Sequence, residues 1–321
     1  MPDQRPRLAD DATVPRRVFV APGRAARPIE IPGSAELATC PFCAGHEHLT
    51  PGEVARLPES AALPWSARII PNRYPVVADG DDALPAASDR SPAAGPPAHG
   101  VHEVLVESPR HDTCILAVAP AAWRLAWEAC RRRLAALAAR GDLAWTTVFK
   151  NSGPAAGASL AHVHSQLVGL GFIPPVVAAE LAGAAPFSRQ LDEAAAEERV
   201  VAAAGGLVAL VPRAPRQPYE VWIVPRAPRP WFHADADAAG ALADLTRDVV
   251  GRIRTLEPGA DYNWWLHQAP LVGAAPPGWH WHLEILPRLS GIAGFELATG
   301  CHITTVGAAE SARRLTSIRR P

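Results

Sequence analysis

Lysine is almost missing from this 321-residue chain, with Lys150 the only one among 31 basic residues. A charge excess of either sign is missing too. The 31 Lys and Arg stand against 32 Asp and Glu, a formal charge of −1, without the basic surplus of a dedicated nucleic-acid binder. No apolar run approaches the ~20 residues that a helical membrane span needs. The opening MPDQRPRLADDATVPRR lacks the apolar core of a signal peptide, so a soluble, cytoplasmic protein with no membrane partner is expected. Cysteine is scarce and odd in number: Cys40, Cys43, Cys114, Cys130 and Cys301 speak against a disulfide framework. What is present is ordinary for a globular protein, 48% apolar and 20% charged, and the length suggests about two domains.

The chain reads as two similar halves. HEVLVES begins at His102 and YEVWIVP at Tyr219, 117 residues later, and both alternate as strands do. A helix follows each. Trp123, Trp127, Cys130, Leu134 and Leu137 form one apolar stripe, with Arg131 to Arg133 expected to be mostly solvated. Leu242, Leu245, Val249, Ile253 and Leu256 form the other. Gly141 and the Pro258–Gly259 pair stop these helices. WTTVF from Trp145 and YNWWL from Tyr262 are again 117 apart, and His162–Val163–His164 and His280–Trp281–His282 are 118 apart. Aligning Pro71 of RIIPNRYP with Pro212 of ALVPRAP gives 141, and the excess of 24 is about the length of the Pro/Ala/Gly/Asp-rich stretch from Ala78 to Gly100. That stretch is expected to be an exposed, poorly ordered loop. The Ala- and Glu-rich stretch from Glu180 to Ala204 predicts a helix at the joint. The expected fold is α+β with mainly antiparallel sheets and helices packed on one side, divided into 1–190 and 191–321.

Three constellations carry chemistry. In NSGPAAGASLAHVHSQ, from Asn151, alternation would place His162, His164 and Gln166 on one strand face. The Gly/Ser loop ahead of them lets backbone N–H groups approach an anion, and a neutral imidazole beside it is a good nucleophile toward phosphorus. Cys40–Pro41–Phe42–Cys43 is a lone CxxC. It is a redox pair, two reduced core thiols, or half of a zinc site completed by two of His46, His48, His111 and His162; spacing does not choose. His267, His280 and His282 are a set that suits zinc or iron, while Trp264, Trp265, Trp279 and Trp281 are expected in the core and pocket wall.

Taken in order, CPFC, IPNRYPVV, ESPRHD, the Asn…Gly-x-Ser…His-x-His-x-Gln block, GWHWH and GFELATGCHI resemble the galactose-1-phosphate uridylyltransferase family of the histidine-triad superfamily. The resemblance spans Arg16 to about Arg314 and implies two histidine-triad-like halves. It implies a zinc site at Cys40, Cys43, His111 and His162, a nucleophile at His164, and a phosphoryl contact from Gln166. Asn72, Asn151, Gly157 and Ser159 match nucleotide and phosphate contacts. Glu180, His267, His280 and His282 match a second site for iron or zinc. Phe295 and Glu296 match the sugar-binding end, where His302 stands in place of a glutamine. Arg24 and Arg27 match an arm that reaches the neighbouring subunit's nucleotide, so a homodimer is implied.

The chain departs from the best-known members at HVHSQ, which replaces HPHGQ, at Ala158, which replaces a Cys, and at Phe295, which replaces a Tyr. The expected activity is that of a galactose-1-phosphate uridylyltransferase. His164 takes UMP from UDP-glucose and passes it to galactose 1-phosphate in two displacements. The alternative is a nucleotide-sugar phosphorylase, such as an ADP-glucose phosphorylase, that uses inorganic phosphate as acceptor for the same histidine adduct. FELATGCHI resembles that branch at least as much.

Overall fold

The computed structural model describes residues 5–10, 13, 16–27, 39–80, 96–183 and 187–318. In chain order these form β1 (Arg7–Asp10), β2 (Arg17–Val20), β3 (Ala55–Leu57), β4 (Ala67–Pro71), β5 (Gly100–Val106), α1 (Pro120–Ala138), β6 (Trp145–Ser152) and β7 (His164–Leu170). There follow α2 (Pro175–Ala182), α3 (Phe187–Ala196), β8 (Val200–Ala204), β9 (Leu207–Leu210), β10 (Val221–Pro225), α4 (Ala238–Leu256), β11 (Tyr262–His267), β12 (His282–Pro287), α5 (Gly294–Thr299) and α6 (Ala308–Ser317). Strands β1 and β2 pair with each other, and the other ten form one sheet in the order β3-β4-β5-β7-β6-β11-β12-β10-β9-β8. All its ladders are antiparallel.

That order is the same from either edge once the repeat is applied, because β3 to β7 correspond to β8 to β12. The copies meet through equivalent strands, with Ser152 opposite Tyr262 and Phe149 opposite Trp265. A pseudo-two-fold axis therefore passes between β6 and β11, and the protein has an α+β fold built on one continuous sheet.

The long helices form where the stripes predict. In α1, Pro120 sits in the first turn, where a missing N–H costs nothing, and Trp123, Trp127, Cys130, Leu134 and Leu137 are buried. In α4, Leu242, Leu245, Val249 and Ile253 are buried, and Trp123 Nε1 donates to Thr246 Oγ1 at 3.1 Å. Side chains of this size contribute about 1.5–3 kcal/mol each when fully buried, so the α1–α4 seam is a main source of stability. Arg131 and Arg133 are less solvated than expected: their stems lie over the surface while their heads pair with Glu128 and Glu103.

The predicted helix over 180–204 is broken. Residues 175–182 and 187–196 are helical, but Val200–Ala204 is a strand that pairs with β9. Gly205 and Gly206, both at positive φ (53° and 80°), close the hairpin, so tertiary pairing overrides the alanine content. The division expected at 190/191 falls inside α3, whose Ala194 packs with Val208, Leu210 and Val224 of the second half. The long helices share one face of the sheet, since Leu207, Ala209 and Val211 join the main core while the alternate Val208 and Leu210 meet α3. Helices α2 and α3 thus cover part of the opposite face. Most of the loop expected over 78–100 lies outside the described residues, but its ends are buried or paired, with Ala78 N–H donating to Ala98 O at 2.8 Å.

Candidate active site and metal centres

Alternation along β7 sends Leu167 into the α1 core, while His164 and Gln166 face the other side, into a cleft of about 310 Å³. Arg27, Phe42, Ile70, Asn72, Tyr74, Val104, Ser159 and Leu160 also line it. His162 lies just before β7 rather than within it, so only His164 and Gln166 share the strand face.

The His164 ring donates from Nδ1–H to the carbonyl of His162 at 2.7 Å, which leaves the lone pair on Nε2. Burial, then the nearby charge of Lys150, push His164 down to about 3, so the ring is neutral at physiological pH. Phe42 packs on it, ring centroids 5.4 Å apart. Behind the sheet, Lys150 donates to the His164 carbonyl at 2.7 Å and pairs with Glu107, which also accepts from Ser165 Oγ at 2.5 Å. This buried trio was not singled out by the motifs, although a unique lysine beside Asn151 was a signal.

The loop before β7 keeps its shape for steric reasons. Gly153 has φ 88°, and a Cβ there would stand 1.7 Å from Asp261 Oδ1, while the Ala155 N–H donates to Asp261 Oδ2 at 2.7 Å. Gly157 is left-handed, and a Cβ there would meet open space. Asn151 accepts from Asn263 at 2.8 Å. Arg27 donates to Ser159 Oγ at 2.7 Å and Arg24 to the Tyr74 carbonyl at 2.5 Å. Within this chain Arg27 lines the cleft, and Arg24 is held to Tyr74 at its border.

Cys40, Cys43, His111 and His162 converge, one donor atom from each lying within 4.8 Å of the others. Cys40 Sγ and Cys43 Sγ lie 3.5 and 3.7 Å from His162 Nδ1, and Cys43 Sγ lies 3.6 Å from His111 Nδ1. The far nitrogen of His162 donates to Ser108 O at 2.9 Å, which leaves Nδ1 as a lone-pair donor facing the thiols. This set fits a tetrahedral metal. His46 instead bonds the Cys40 carbonyl at 2.8 Å.

The second cluster differs from expectation by one residue: Glu180, His267, His282 and Glu284 come together, and His280 does not. His280 precedes β12, and its Nδ1 is turned to the Pro225 carbonyl at 2.7 Å. Glu284 lies two residues after His282 on the same strand face, 3.4 Å from His282 Nε2. Glu180 Oε1 is 2.7 Å from His267 Nδ1. His-x-His-x-Glu was visible in the sequence as the counterpart of His162-x-His164-x-Gln166, and that parallel was the missed signal. Two carboxylates and two imidazoles fit a divalent cation, with Arg216 paired to Glu284 from outside.

Phe295, Glu296 and His302 are not brought to the cleft. Phe295 and His302 are exposed on and after α5, and Glu296 caps that helix by accepting from the Ala293 N–H at 3.0 Å.

A duplicated antiparallel fold with a free imidazole nitrogen and an amide side by side on one strand defines a nucleotidyl-transferring enzyme of the histidine-triad class. Residues 12–174 match the model of the galactose-1-phosphate uridyl transferase N-terminal domain, and residues 135–318 match a domain of unknown function (DUF4921). The chain is 30% identical over 318 residues to the ADP-glucose phosphorylase of Arabidopsis thaliana, covering 95% of this chain and 90% of that protein. It is 26% identical over 316 residues to the galactose-1-phosphate uridylyltransferase of Thermotoga maritima, covering 93% and 94%. The crystal structure of the Arabidopsis phosphorylase with bound ADP-glucose superposes with a TM-score of 0.75 at 29% identity, over 98% of this chain and 99% of that one. The chain belongs to the galactose-1-phosphate uridylyltransferase family.

Proposed function

We propose that the protein is a nucleotide-sugar phosphorylase of the ADP-glucose type, acting through a nucleotidyl-histidine. The observation that carries the chemistry is His164 Nε2, unprotonated and presented to the cleft because Nδ1–H is held by the His162 carbonyl. The choice of phosphorylase over the uridylyltransferase expected from the motifs is supported by the higher identity to the Arabidopsis enzyme, 30% against 26%.

In the first displacement, Nε2 of His164 forms a bond to the α-phosphorus. The bond from phosphorus to the bridging oxygen breaks, and glucose 1-phosphate leaves. In the second, an oxygen of inorganic phosphate attacks the same phosphorus, the P–N bond breaks, and ADP departs. Gln166, Ser159 and Arg27 offer hydrogen-bond donors to phosphoryl oxygens whose charge is spread in the transition state. Asn72, Asn151 and Gly157 are assigned to the nucleotide and phosphate, and Phe42 and Ile70 to the base side of the cleft.

Cys40, Cys43, His111 and His162 would hold zinc. Four protein ligands leave no open position, so the ion acts by tying the CPFC loop to the start of β7. Glu180, His267, His282 and Glu284 would hold iron or zinc away from the reacting atoms. A cytoplasmic homodimer, in which Phe295, Glu296 and His302 serve a partner's sugar site, completes the reading.

The test uses ADP-glucose and UDP-glucose labelled at the α-phosphate, each without acceptor, with phosphate, and with galactose 1-phosphate. An acid-labile label on the His164 peptide, absent in His164→Asn, and its release as ADP by phosphate are expected. Turnover with galactose 1-phosphate but not with phosphate would overturn the phosphorylase in favour of the transferase. Sequential kinetics without any adduct would remove both.

A further inference from the structure

His102 was met above only as the start of a strand motif. It is buried on β5, 6% exposed, beside the equally buried Gln166 on β7. The backbone N–H of Val76 donates to His102 Nδ1 at 3.1 Å. A backbone N–H cannot change its role, so Nδ1 must carry the lone pair. The neutral ring then has its proton on Nε2. That N–H is 3.0 Å from Gln166 Oε1.

A second donor reaches the same oxygen. Asn72 Oδ1 accepts the Tyr74 backbone N–H at 2.8 Å, which fixes the Asn72 amide and leaves its Nδ2 3.4 Å from Gln166 Oε1. Asn72 Nδ2 and His102 Nε2 lie 3.0 Å apart because both converge on one acceptor. Two fixed backbone donors, at Val76 and Tyr74, thus decide the orientation of three side chains. Burial holds His102 down to about 4, so the ring keeps this neutral form at physiological pH.

Resting on the reading of His164 as nucleophile, we propose that His102 is a positioning residue: it locks the Gln166 amide with its oxygen inward and its –NH2 toward the phosphoryl group. A flipped amide would set –NH2 against two N–H donors and turn a carbonyl oxygen toward the phosphoryl oxygens, where it repels instead of donating. His102 does not line the cleft, so it acts through Gln166.

The experiment measures single-turnover formation of the histidine adduct from α-labelled ADP-glucose without phosphate. The His102→Asn side chain can still accept from Val76 but is too short to reach Gln166, whereas His102→Gln places an N–H near the old Nε2. The expected result is an about 10- to 100-fold slower saturated rate in His102→Asn, up to the scale for a group misplaced by about 1 Å, with half-saturating ADP-glucose changed by less than about twofold. His102→Gln is expected to recover most of the rate. In a Gln166→Ala background, His102→Asn should cost less than about twofold more, because the residue it positions is gone.

Equal losses in His102→Asn and His102→Gln, an unchanged rate in both, or the same fold-loss with and without Gln166 would overturn the proposal. In these cases the wild type still makes its adduct, so the nucleophile reading survives. A wild type that makes no adduct fails at that earlier reading and takes the proposal with it.

Discussion

At the scale of the single residue, the site depends on tautomers set by the backbone. The His162 carbonyl holds Nδ1–H of His164, and the Val76 N–H holds the lone pair of His102. The folded value of His102 is about 4 against an ordinary 6.5, because burial disfavours the imidazolium. Between those values the unfolded chain binds the extra proton, so stability rises with pH through this window and is lost on acidification; above 6.5 the group contributes no slope. The full difference is worth roughly 3 kcal/mol. Urea unfolding of wild type and His102→Gln at pH 4.5 and pH 7 should show a smaller gap between the two pH values in the variant. An equal gap would mean that His102 is not buried neutral.

At the scale of the element, two devices hold β7. One is the Lys150–Glu107 pair, which ties β6 and the end of β5 to the His164 carbonyl from behind the sheet. Each side chain is 2% exposed. Lys150→Met should cost about 3–5 kcal/mol, since it strands a buried carboxylate. Adding Glu107→Leu should restore much of that, as removing a whole buried pair is far cheaper than breaking it. Denaturant midpoints for the two single variants and the double variant test this; additive losses would contradict it.

The other device is the Cys40–Cys43–His111–His162 cluster, which joins three chain segments at the front of β7. Cys43→Ser should lower bound metal by about one equivalent and lower the melting temperature, because metal affinity for a folded site is folding free energy. Metal analysis with calorimetry decides it, and an unchanged metal content would discard this ligand set.

At the scale of the whole molecule, the continuous sheet makes the two halves depend on each other. Separating 1–190 from 191–321 would cut α3, expose the β6 and β11 edges, and open the α1–α4 seam with Trp123 and Trp264. Bare edges of this length invite pairing with other chains. Each half expressed alone should therefore aggregate or lack dispersed amide resonances, while the intact chain should unfold in one transition. A well-folded isolated half would show that the core divides.

Local pattern determined the repeat, the long helices and the pairing of His164 with Gln166, whereas the set Cys40, Cys43, His111 and His162 was implied by the resemblance and is brought together by the fold. Helical stripes, strand alternation and motif order are written over neighbouring residues, so they are legible without a fold. Other features were decided by contacts between residues far apart in the chain. Glu284 joins Glu180 and His267 because β12 pairs with β11, which sets His282 opposite His267. His102 meets Gln166 across 64 residues, and Arg27 meets Ser159 across 132. Residues 200–204 extend because β9 offers a partner edge. No local propensity encodes such pairings; they exist only when strand register sets which side chains face one another and burial makes each unpaired polar group costly.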